Sequence, residues 1–303
     1  MLKQLRAFFD SRGFTEVQTP TLCSQTVIDR HLDPIHVPLT IPGQGRVEWF
    51  LQTSPEQSMK RLLAEGIGCI YQIGPVFRDA EFGALHNPEF TMVEWYDVGA
   101  SHAQGLQLLS DLLTAMLGTP AADRLKFEQA FTEATRLPLY DSTTQQLARW
   151  SVANQLVDSE GWSSDWDDWV NLIFSDVVQP KLGMETPALI TNFPASQAAL
   201  AVVSPSDPRT AERYEIFYQG VELANGYHEL LDATVLRERD EIANNQRVQD
   251  GKRPLPACEK LLLAMEAGMP SSCGCALGFD RLVMLACNAN SLKEVVAFTA
   301  EDA

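Results

Sequence analysis

The chain has 303 residues, 45% of them hydrophobic, which is enough to bury a core in one large domain or two small ones. Its 40 acidic and 23 basic side chains give a net charge of −17. This charge disfavours nucleic acid as a partner, because proteins bind its phosphates mainly through Lys and Arg. No apolar run reaches the ~18–20 residues that span a bilayer, so we expect no membrane partner. The N-terminus lacks the form of a signal peptide and the six cysteines are scattered, so we predict a cytoplasmic location.

The first third of the chain predicts helices alternating with short strands. The N-terminal helix places Leu2, Leu5, Phe8 and Phe9 on one face. The elements predicted next are a strand over 14–22, a loop over 23–47, a short strand over 48–52 and a helix that Ser54 caps and Gly66 ends.

Residues 69–97 form the most informative segment, CIYQIGPVFRDAEFGALHNPEFTMVEWYD. Two strand-like runs flank a polar loop, and Arg78 ends the first run. Glu94 and Tyr96 share one face of the returning strand, because side chains alternate along a strand. An arginine beside acids can hold an anionic group and a cation together, as activation of an amino acid by a nucleotide requires.

The rest of the chain predicts a helical segment and then a return to strands. Residues 101–182 are interpreted as a helical insertion packed on a sheet. Strands joined mainly by hairpins favour an α+β fold, an antiparallel sheet flanked by helices. The later predicted elements are strands over 187–192 and 213–230, helices over 234–250 and 256–267, and a final strand and helix.

Three segments carry a family resemblance. The 69–97 hairpin resembles motif 2 of the class II aminoacyl-tRNA synthetases, above all the lysyl enzymes. Residues 214–230, YEIFYQGVELANGYHEL, look like their acidic strand pair, and residues 274–284, GCALGFDRLVM, look like motif 3. The chain is most similar to paralogues of these synthetases that modify elongation factor P.

The resemblance implies one catalytic domain over 1–303. Residues 12–22, RGFTEVQTPTL, look like motif 1, which builds a homodimer interface in this family. Because this segment lies almost at the first residue, we expect no anticodon-binding domain and no tRNA partner.

The resemblance also implies an ATP site. Two arginines, Arg78 and Arg281, would hold the phosphates, since the planar guanidinium binds oxyanions in bidentate fashion. In the loop, His86 and Asn87 would add ATP contacts. Phe90 would stack on adenine, although a strand phenylalanine also suits a core position.

Glu215 and Glu222 lie seven residues apart, across a bend at Gln219-Gly220. If that bend is tight, both carboxylates can face one site, and carboxylates bridged to ATP phosphates are what Mg²⁺ prefers. The alternative is two solvated glutamates at a strand edge.

The substrate predicted by the resemblance is lysine or a lysine isomer. Several acids in one pocket repel each other unless a cation is bound, and a diamino acid brings two ammonium groups. The positions that match lysine-binding residues of the family are Ser54, Glu56, Glu94, Tyr96, Asn225 and Glu229.

Ala276 stands where lysyl-tRNA synthetases usually have glycine. The resemblance implies that the paralogues with this alanine prefer (R)-β-lysine. The extra methyl group would narrow the substrate pocket near the α-carbon. The alternative is that Ala276 only fills space.

The motif 2 loop departs from the family pattern, because Ala80 replaces an adenine-binding glutamate and Leu85 stands where an arginine is expected. The three motifs together make the leading hypothesis an ATP- and Mg²⁺-dependent enzyme that activates lysine or (R)-β-lysine and transfers it to a lysine of elongation factor P. The alternatives are a binding protein without chemistry and, less favoured, a tRNA-charging enzyme.

Overall fold

The computed structural model describes all residues from Met1 to Ala303, and the chain forms two compact units. The first comprises Met1–Gly105 and Glu229–Ala303, and the second Leu106–His228. The strands are β1 (Thr15–Glu16), β2 (Leu22–Cys23), β3 (His36–Ile41), β4 (Gly45–Leu51), β5 (Ile70–Phe77), β6 (Glu89–Val98), β7 (Asp123–Lys126), β8 (Ala188–Pro194), β9 (Thr210–Tyr218), β10 (Val221–His228) and β11 (Ser272–Gly278). The α-helices are α1 (Leu2–Asp10), α2 (Glu56–Ala64), α3 (His102–Leu117), α4 (Phe127–Thr135), α5 (Thr144–Ala153), α6 (Trp166–Ile173), α7 (Ala233–Gln249), α8 (Glu259–Gly268) and α9 (Phe279–Ala286).

The main sheet of the first unit has the strand order β1-β5-β6-β11. Only the β1–β5 pair is parallel. In the β6–β11 pair, Glu94 lies opposite Ala276 and Tyr96 lies opposite Gly274. Directly opposed residues project to the same face of a sheet, so this register groups four predicted or neighbouring site positions on one face.

Aromatic side chains fix helix α1 on this sheet. The ring of Phe9 stacks on Tyr71 with centroids 4.7 Å apart and lies 5.3 Å from the Trp95 ring. Leu5, Phe8 and Phe9 are buried, as the amphipathic pattern predicts, whereas Leu2 at the helix start keeps 41% of its surface exposed.

A second, three-stranded sheet in the first unit has the order β2-β4-β3. The prediction of a loop over 23–47 is therefore wrong at β3. Its sequence, HVPLTI, contains Pro38, which removes a backbone donor and obscures the strand signal. Proline is tolerated there because β3 is an edge strand of this sheet.

The sheet of the second unit has the order β10-β9-β8-β7, and only the β7–β8 pair is parallel. Strands β9 and β10 meet at Gln219-Gly220, where both residues have positive φ (52° and 74°), as a tight two-residue hairpin turn requires. The core of the second unit includes the stacked rings of Phe127 and Phe174, whose centroids lie 4.5 Å apart. Residues 101–182 hold helices α3 to α6 and also strand β7, which the sequence pattern does not indicate.

Mainly antiparallel sheets with packed helices confirm the predicted α+β class. None of the helices combines the length and the apolar character that crossing a bilayer requires.

Candidate active site

Glu94 is the centre of a buried group of acids in the first unit. Its carboxylate accepts hydrogen bonds from the Ser54 hydroxyl at 2.6 Å and from the Tyr96 hydroxyl at 2.7 Å. The Ser54 oxygen also accepts the backbone N–H of Glu56 at 3.0 Å, where helix α2 begins. Glu94 is 2% exposed and forms no salt bridge, and its only hydrogen-bond donors are these two neutral hydroxyl groups.

Lys60 is a member of this group that the sequence analysis missed. Its ammonium lies 2.6 Å from Glu229 Oε2 and pairs with Glu56 one turn earlier on α2. The side chain is 1% exposed. The backbone N–H of Gly274 also donates to Glu229. The Glu-x-x-x-Lys spacing was the available signal, but on most helices such a pair is a surface salt bridge. We call Glu56, Glu94, Glu229, Lys60 and Tyr96 the acidic pocket.

Burial perturbs the titration of the acidic pocket. Desolvation and the nearby charge of Glu56 raise the pKa of Glu94 to about 8. Desolvation also raises the pKa of Glu229 to about 7, against the opposing effect of Lys60. Burial alone would lower the pKa of Lys60, but the charges of Glu229 and Glu56 outweigh it and raise that pKa. Burial thus favours the protonated forms of Glu94 and Glu229 in the empty pocket, and a bound cation would favour their ionised forms.

Strand β11 supplies a wall of small residues beside these acids. A Cβ atom added at Gly274 would overlap Glu229 Oε1 and come within 2.5 Å of the Tyr96 ring. Only glycine lets the backbone pass at this point. Ala276, directly opposite Glu94, is half-buried, so its methyl group lies on the Glu94 face of the sheet.

The two predicted phosphate-binding arginines lie in the first unit, and both contact residues of the 69–97 hairpin. Arg281 contacts His86, Nη2 to Nε2 at 2.9 Å, and its Nε donates to the Leu85 carbonyl at 3.1 Å. The Arg78 guanidinium lies over the Phe90 ring, 5.1 Å from its centroid. The structure thus pairs Arg281 with His86 and Arg78 with Phe90.

Asn87 and Ala80 have local roles in the motif 2 loop. The Asn87 amide donates to the Glu89 carbonyl at 2.6 Å and accepts the backbone N–H of Ala300 at 2.9 Å. Its side chain therefore connects the loop to the C-terminal segment. Ala80 has φ of 60°, in the left-handed region. The ATP contact expected of Asn87 stays a prediction.

Glu215 and Glu222, which we call the carboxylate pair, lie on β9 and β10 of the second unit. Arg213 Nη2 contacts Glu215 at 2.5 Å, and its Nη1 donates to the Gln197 carbonyl at 2.8 Å. Burial raises the pKa of Glu215 to about 7, opposed by Arg213 and reinforced by the charge of Glu222. No group of three or more His, Cys, Asp or Glu side chains is arranged to hold a metal ion.

Asn225 lies opposite Glu215 in the β9–β10 register. Its amide nitrogen donates to the Tyr227 hydroxyl at 3.2 Å, but its Oδ1 is buried and has no hydrogen-bond partner. A buried acceptor without a partner is costly, so this oxygen suits a ligand that brings an N–H or O–H group, or a cation. Its predicted role in lysine binding stays a prediction.

The comparisons agree with the motifs in the sequence. The family of class II tRNA synthetases (D, K and N) matches residues 1–302. An elongation factor P–(R)-β-lysine ligase of Edwardsiella ictaluri is 43% identical over 100% of this chain and 94% of that relative. Ligases of the same name from Vibrio vulnificus and Vibrio cholerae are 42% and 40% identical, each over 98% of this chain and over 93% and 92% of the relatives.

These matches confirm the resemblance on which the sequence analysis rested. The family uses ATP to activate an amino acid, and the relatives that match over 93% and 94% of their own length are named as ligases. The chain belongs to the class II tRNA synthetase family of the D, K and N type, as an enzyme of the ATP-dependent ligase kind.

Proposed function

We propose that this protein uses ATP to activate (R)-β-lysine or (S)-α-lysine and transfers the acyl group to a lysine side chain of elongation factor P. The observation that carries the proposal is the acidic pocket, where two of three buried carboxylates pair with a single internal lysine. The names of the relatives support the same substrate and acceptor.

The acidic pocket favours an amine ligand for an electrostatic reason. Glu94 is bonded only to hydroxyl groups, so an ammonium group can approach it without breaking an existing ion pair. Glu56 and Glu229 have Lys60 as a shared partner, so a second ammonium group can join them. A neutral ligand would leave these desolvated charges unbalanced, which disfavours it.

The proposed reaction has two steps. A carboxylate oxygen of the substrate attacks the α-phosphorus of ATP, the bond to the bridging β-phosphate oxygen breaks, and pyrophosphate leaves. The amine of the acceptor lysine then attacks the acyl carbon, AMP leaves with the bonding electron pair, and the amine loses a proton. Neither step needs a nucleophilic side chain of the enzyme, so positioning and charge carry the catalysis.

The arginines suit the phosphate roles that the family resemblance gives them. Arg78 would hold the α-phosphate, and its guanidinium is already oriented by the Phe90 ring. Arg281 would hold the departing pyrophosphate together with His86, the two side chains being in contact. Phe90 would present its other face to adenine.

The carboxylate pair suits Mg²⁺ chemically. Two carboxylates are fewer ligands than a dedicated metal cage needs, but Mg²⁺ commonly binds one or two carboxylates and completes its shell with phosphate oxygens and water. When bound, the ion would neutralise charge on the phosphates. Burial raises the pKa of Glu215 to about 7 even beside Arg213, and a bound dication would favour the ionised form.

The isomer that we favour is (R)-β-lysine. Ala276 lies opposite Glu94 on the face where the substrate would bind, and its methyl group reduces the space near the carboxylate end of the ligand. In (R)-β-lysine the amine is one carbon further from the carboxylate. A difference of one methylene or methyl group is worth about 1–3 kcal/mol in such a pocket.

The acceptor is expected to be a protein and not tRNA. A net charge of −17 repels a phosphate backbone but attracts a basic loop that bears the acceptor lysine. We further expect a homodimer through the segment around β1, which size-exclusion chromatography with light scattering would measure.

The first experiment is ATP–pyrophosphate exchange by the purified protein with (R)-β-lysine, (S)-α-lysine or no amino acid. We expect exchange with both isomers, faster with (R)-β-lysine. No exchange with either would contradict the proposal, and retained lysine binding in that case would favour a binding protein without chemistry.

The second experiment tests the acceptor. Radiolabelled (R)-β-lysine, ATP and Mg²⁺ are incubated with elongation factor P, with the same factor carrying Arg in place of its acceptor lysine, or with tRNA. We expect label only on the elongation factor P that keeps its acceptor lysine. Label on tRNA alone would replace the proposal with tRNA charging.

A further inference from the structure

We propose that Lys60 is a specificity-determining residue, which sets the net charge of the ionised acidic pocket to minus two and so selects ligands with two ammonium groups. This inference rests on the proposed function and extends it to a residue that contacts the pocket acids and not the reacting atoms. Lys60 is thus a positioning residue.

The charge count follows from the contacts. Three carboxylates, those of Glu56, Glu94 and Glu229, bear three negative charges when ionised, and Lys60 bears one positive charge. The sum is minus two, which the two ammonium groups of lysine or β-lysine balance. Without Lys60 the same acids would carry minus three, one more than any diamino acid can neutralise.

The geometry makes Lys60 a permanent part of the site. Its side chain is 1% exposed, and its ammonium pairs with Glu229 at 2.6 Å and with Glu56. It also lies 5.9 Å from the centroid of the Tyr96 ring. The charges of its two carboxylate partners raise the pKa of the Lys60 ammonium, so this group keeps its positive charge.

The distribution of partners assigns different tasks to the three acids. Lys60 fixes Glu56 and Glu229, which would otherwise repel each other, and it leaves Glu94 with neutral donors. Glu94 is therefore the carboxylate available for one ammonium group, and the Lys60-bridged acids together retain one negative charge for the other.

Other titratable groups lie beyond this set. Asp240 on α7 and Cys258 before α8 are close enough to Glu56 to interact with its charge, and they hydrogen-bond each other. Burial raises the pKa of Asp240 to about 6, and Arg237 opposes that rise. These groups pair with neither Lys60 nor Glu94. They therefore alter the electrostatic potential around the acidic pocket and not the net charge of its own side chains.

The first test uses the unmodified protein and compares amines by isothermal titration calorimetry. The probes are (S)-α-lysine, 1,5-diaminopentane with two ammonium groups and n-pentylamine with one. We expect the diamine to bind at least ~10-fold more tightly than the monoamine, because only the diamine neutralises both charges. Equal affinities would overturn the inference, whereas no binding of lysine itself would contradict the proposed function.

The second test counts protons with the Lys60→Met variant. Titrating lysine at pH 7 in buffers of different ionisation enthalpy gives the number of protons released on binding. We expect about one for the unmodified protein and about two for Lys60→Met, because the extra unbalanced charge holds an extra proton in the empty pocket. We also expect its lysine affinity to fall at least ~10-fold at pH 7.

Two controls separate charge from structure. Lys60→Met/Glu56→Gln removes one charge of each sign, so the proton count should return to about one even if affinity stays low. Lys252→Met removes a lysine that pairs with Asp33 outside the pocket and should leave both readings unchanged. An unaltered proton count in folded Lys60→Met would overturn the inference. If that variant does not fold, the amine comparison decides alone.

Discussion

The acidic pocket and the carboxylate pair are two solutions to the problem of burying several acids. Each contains a cation from the chain itself, Lys60 in the first and Arg213 in the second. Lys60 bridges two acids and leaves Glu94 bonded only to hydroxyls, whereas Arg213 engages Glu215 directly. The acidic pocket thus contains one acid, Glu94, that has no ion pair. In the carboxylate pair, the more buried acid, Glu215, forms an ion pair with Arg213.

The difference indicates which ligand each set can accept. A carboxylate held by hydroxyls gains a full ion pair when an ammonium group arrives. Glu215 must instead share its charge with an arginine whose planar guanidinium is also fixed by the Gln197 carbonyl. We expect a dication such as Mg²⁺, with twice the charge, to compete with Arg213 for this carboxylate better than a monovalent amine does. Variants in the two sets should therefore affect different ligands.

The strongest test of this contrast is Glu94→Gln. The amide keeps the shape but cannot balance an ammonium group, and truncating one partner of a buried charge pair costs about 2–5 kcal/mol. We expect kcat/KM for the amino acid to fall at least ~100-fold, with the KM for ATP little changed. Glu259→Gln, which alters an exposed pair with Arg237, is the control and should behave as the unmodified protein. Full activity of Glu94→Gln would end the distinction between the two sets.

Gly274→Ala should harm the pocket by shape and not by charge. The added methyl group would overlap Glu229 and the Tyr96 ring, so the strand or both side chains must move. Overpacking of this kind costs about 1–3 kcal/mol, and we expect a comparable loss of unfolding free energy with a lysine affinity lowered ~10- to 100-fold. Gly74→Ala on β5 is the matched control, because its nearest contact is an ordinary 3.7 Å. Normal lysine binding by Gly274→Ala would show that Glu229 is not a ligand contact.

Glu215→Gln tests the other half of the comparison. Loss of the carboxylate should raise the Mg²⁺ concentration for half-maximal pyrophosphate exchange by ~10-fold, because one of two proposed oxygen ligands loses its charge. Lysine binding measured without ATP should not change. The control is Glu212→Gln, which alters a pair with His228. A lysine affinity that falls with Glu215→Gln, at unchanged Mg²⁺ dependence, would reverse the assignments of the two sets.

Much of the fold and part of the site could be predicted from the sequence. Period-two alternation put Glu94 and Tyr96 on one face, and the hairpin bend at Gln219-Gly220 is where the structure turns. Lys60 could not be identified, because an i,i+4 Glu–Lys pair has the same spacing on a surface helix and in a buried site. Only tertiary packing, which brings Glu229 to the same ammonium, distinguishes the two cases.

Ala276→Gly should change the preference between the two lysine isomers, which is a smaller effect than the loss of a pocket charge. Removing one methyl group opens space opposite Glu94 without changing any charge. We expect the ratio of kcat/KM for (R)-β-lysine over (S)-α-lysine to fall by about 10-fold, in line with the 1–3 kcal/mol that a hydrophobic pocket assigns to one such group. An unchanged ratio would mean that Ala276 only fills space. The exchange assay with both isomers provides the measurement.

The last prediction concerns the stability of the empty protein as a function of pH, and it has a definite sign. The pKa of Glu94 rises from an ordinary 4.5 to about 8 in the folded protein, so between these values the folded state binds a proton that the unfolded chain has lost. The free energy of unfolding should therefore fall as pH rises from 5 to 8, with a slope from this group of at most about 1.4 kcal/mol per pH unit. Glu94→Gln has no such proton, so its urea denaturation curves at pH 5, 6.5 and 8 should lose that part of the slope. Parallel pH profiles for the two proteins would mean that Glu94 is already ionised in the empty pocket, with the charge of Lys60 offsetting the burial of its carboxylate.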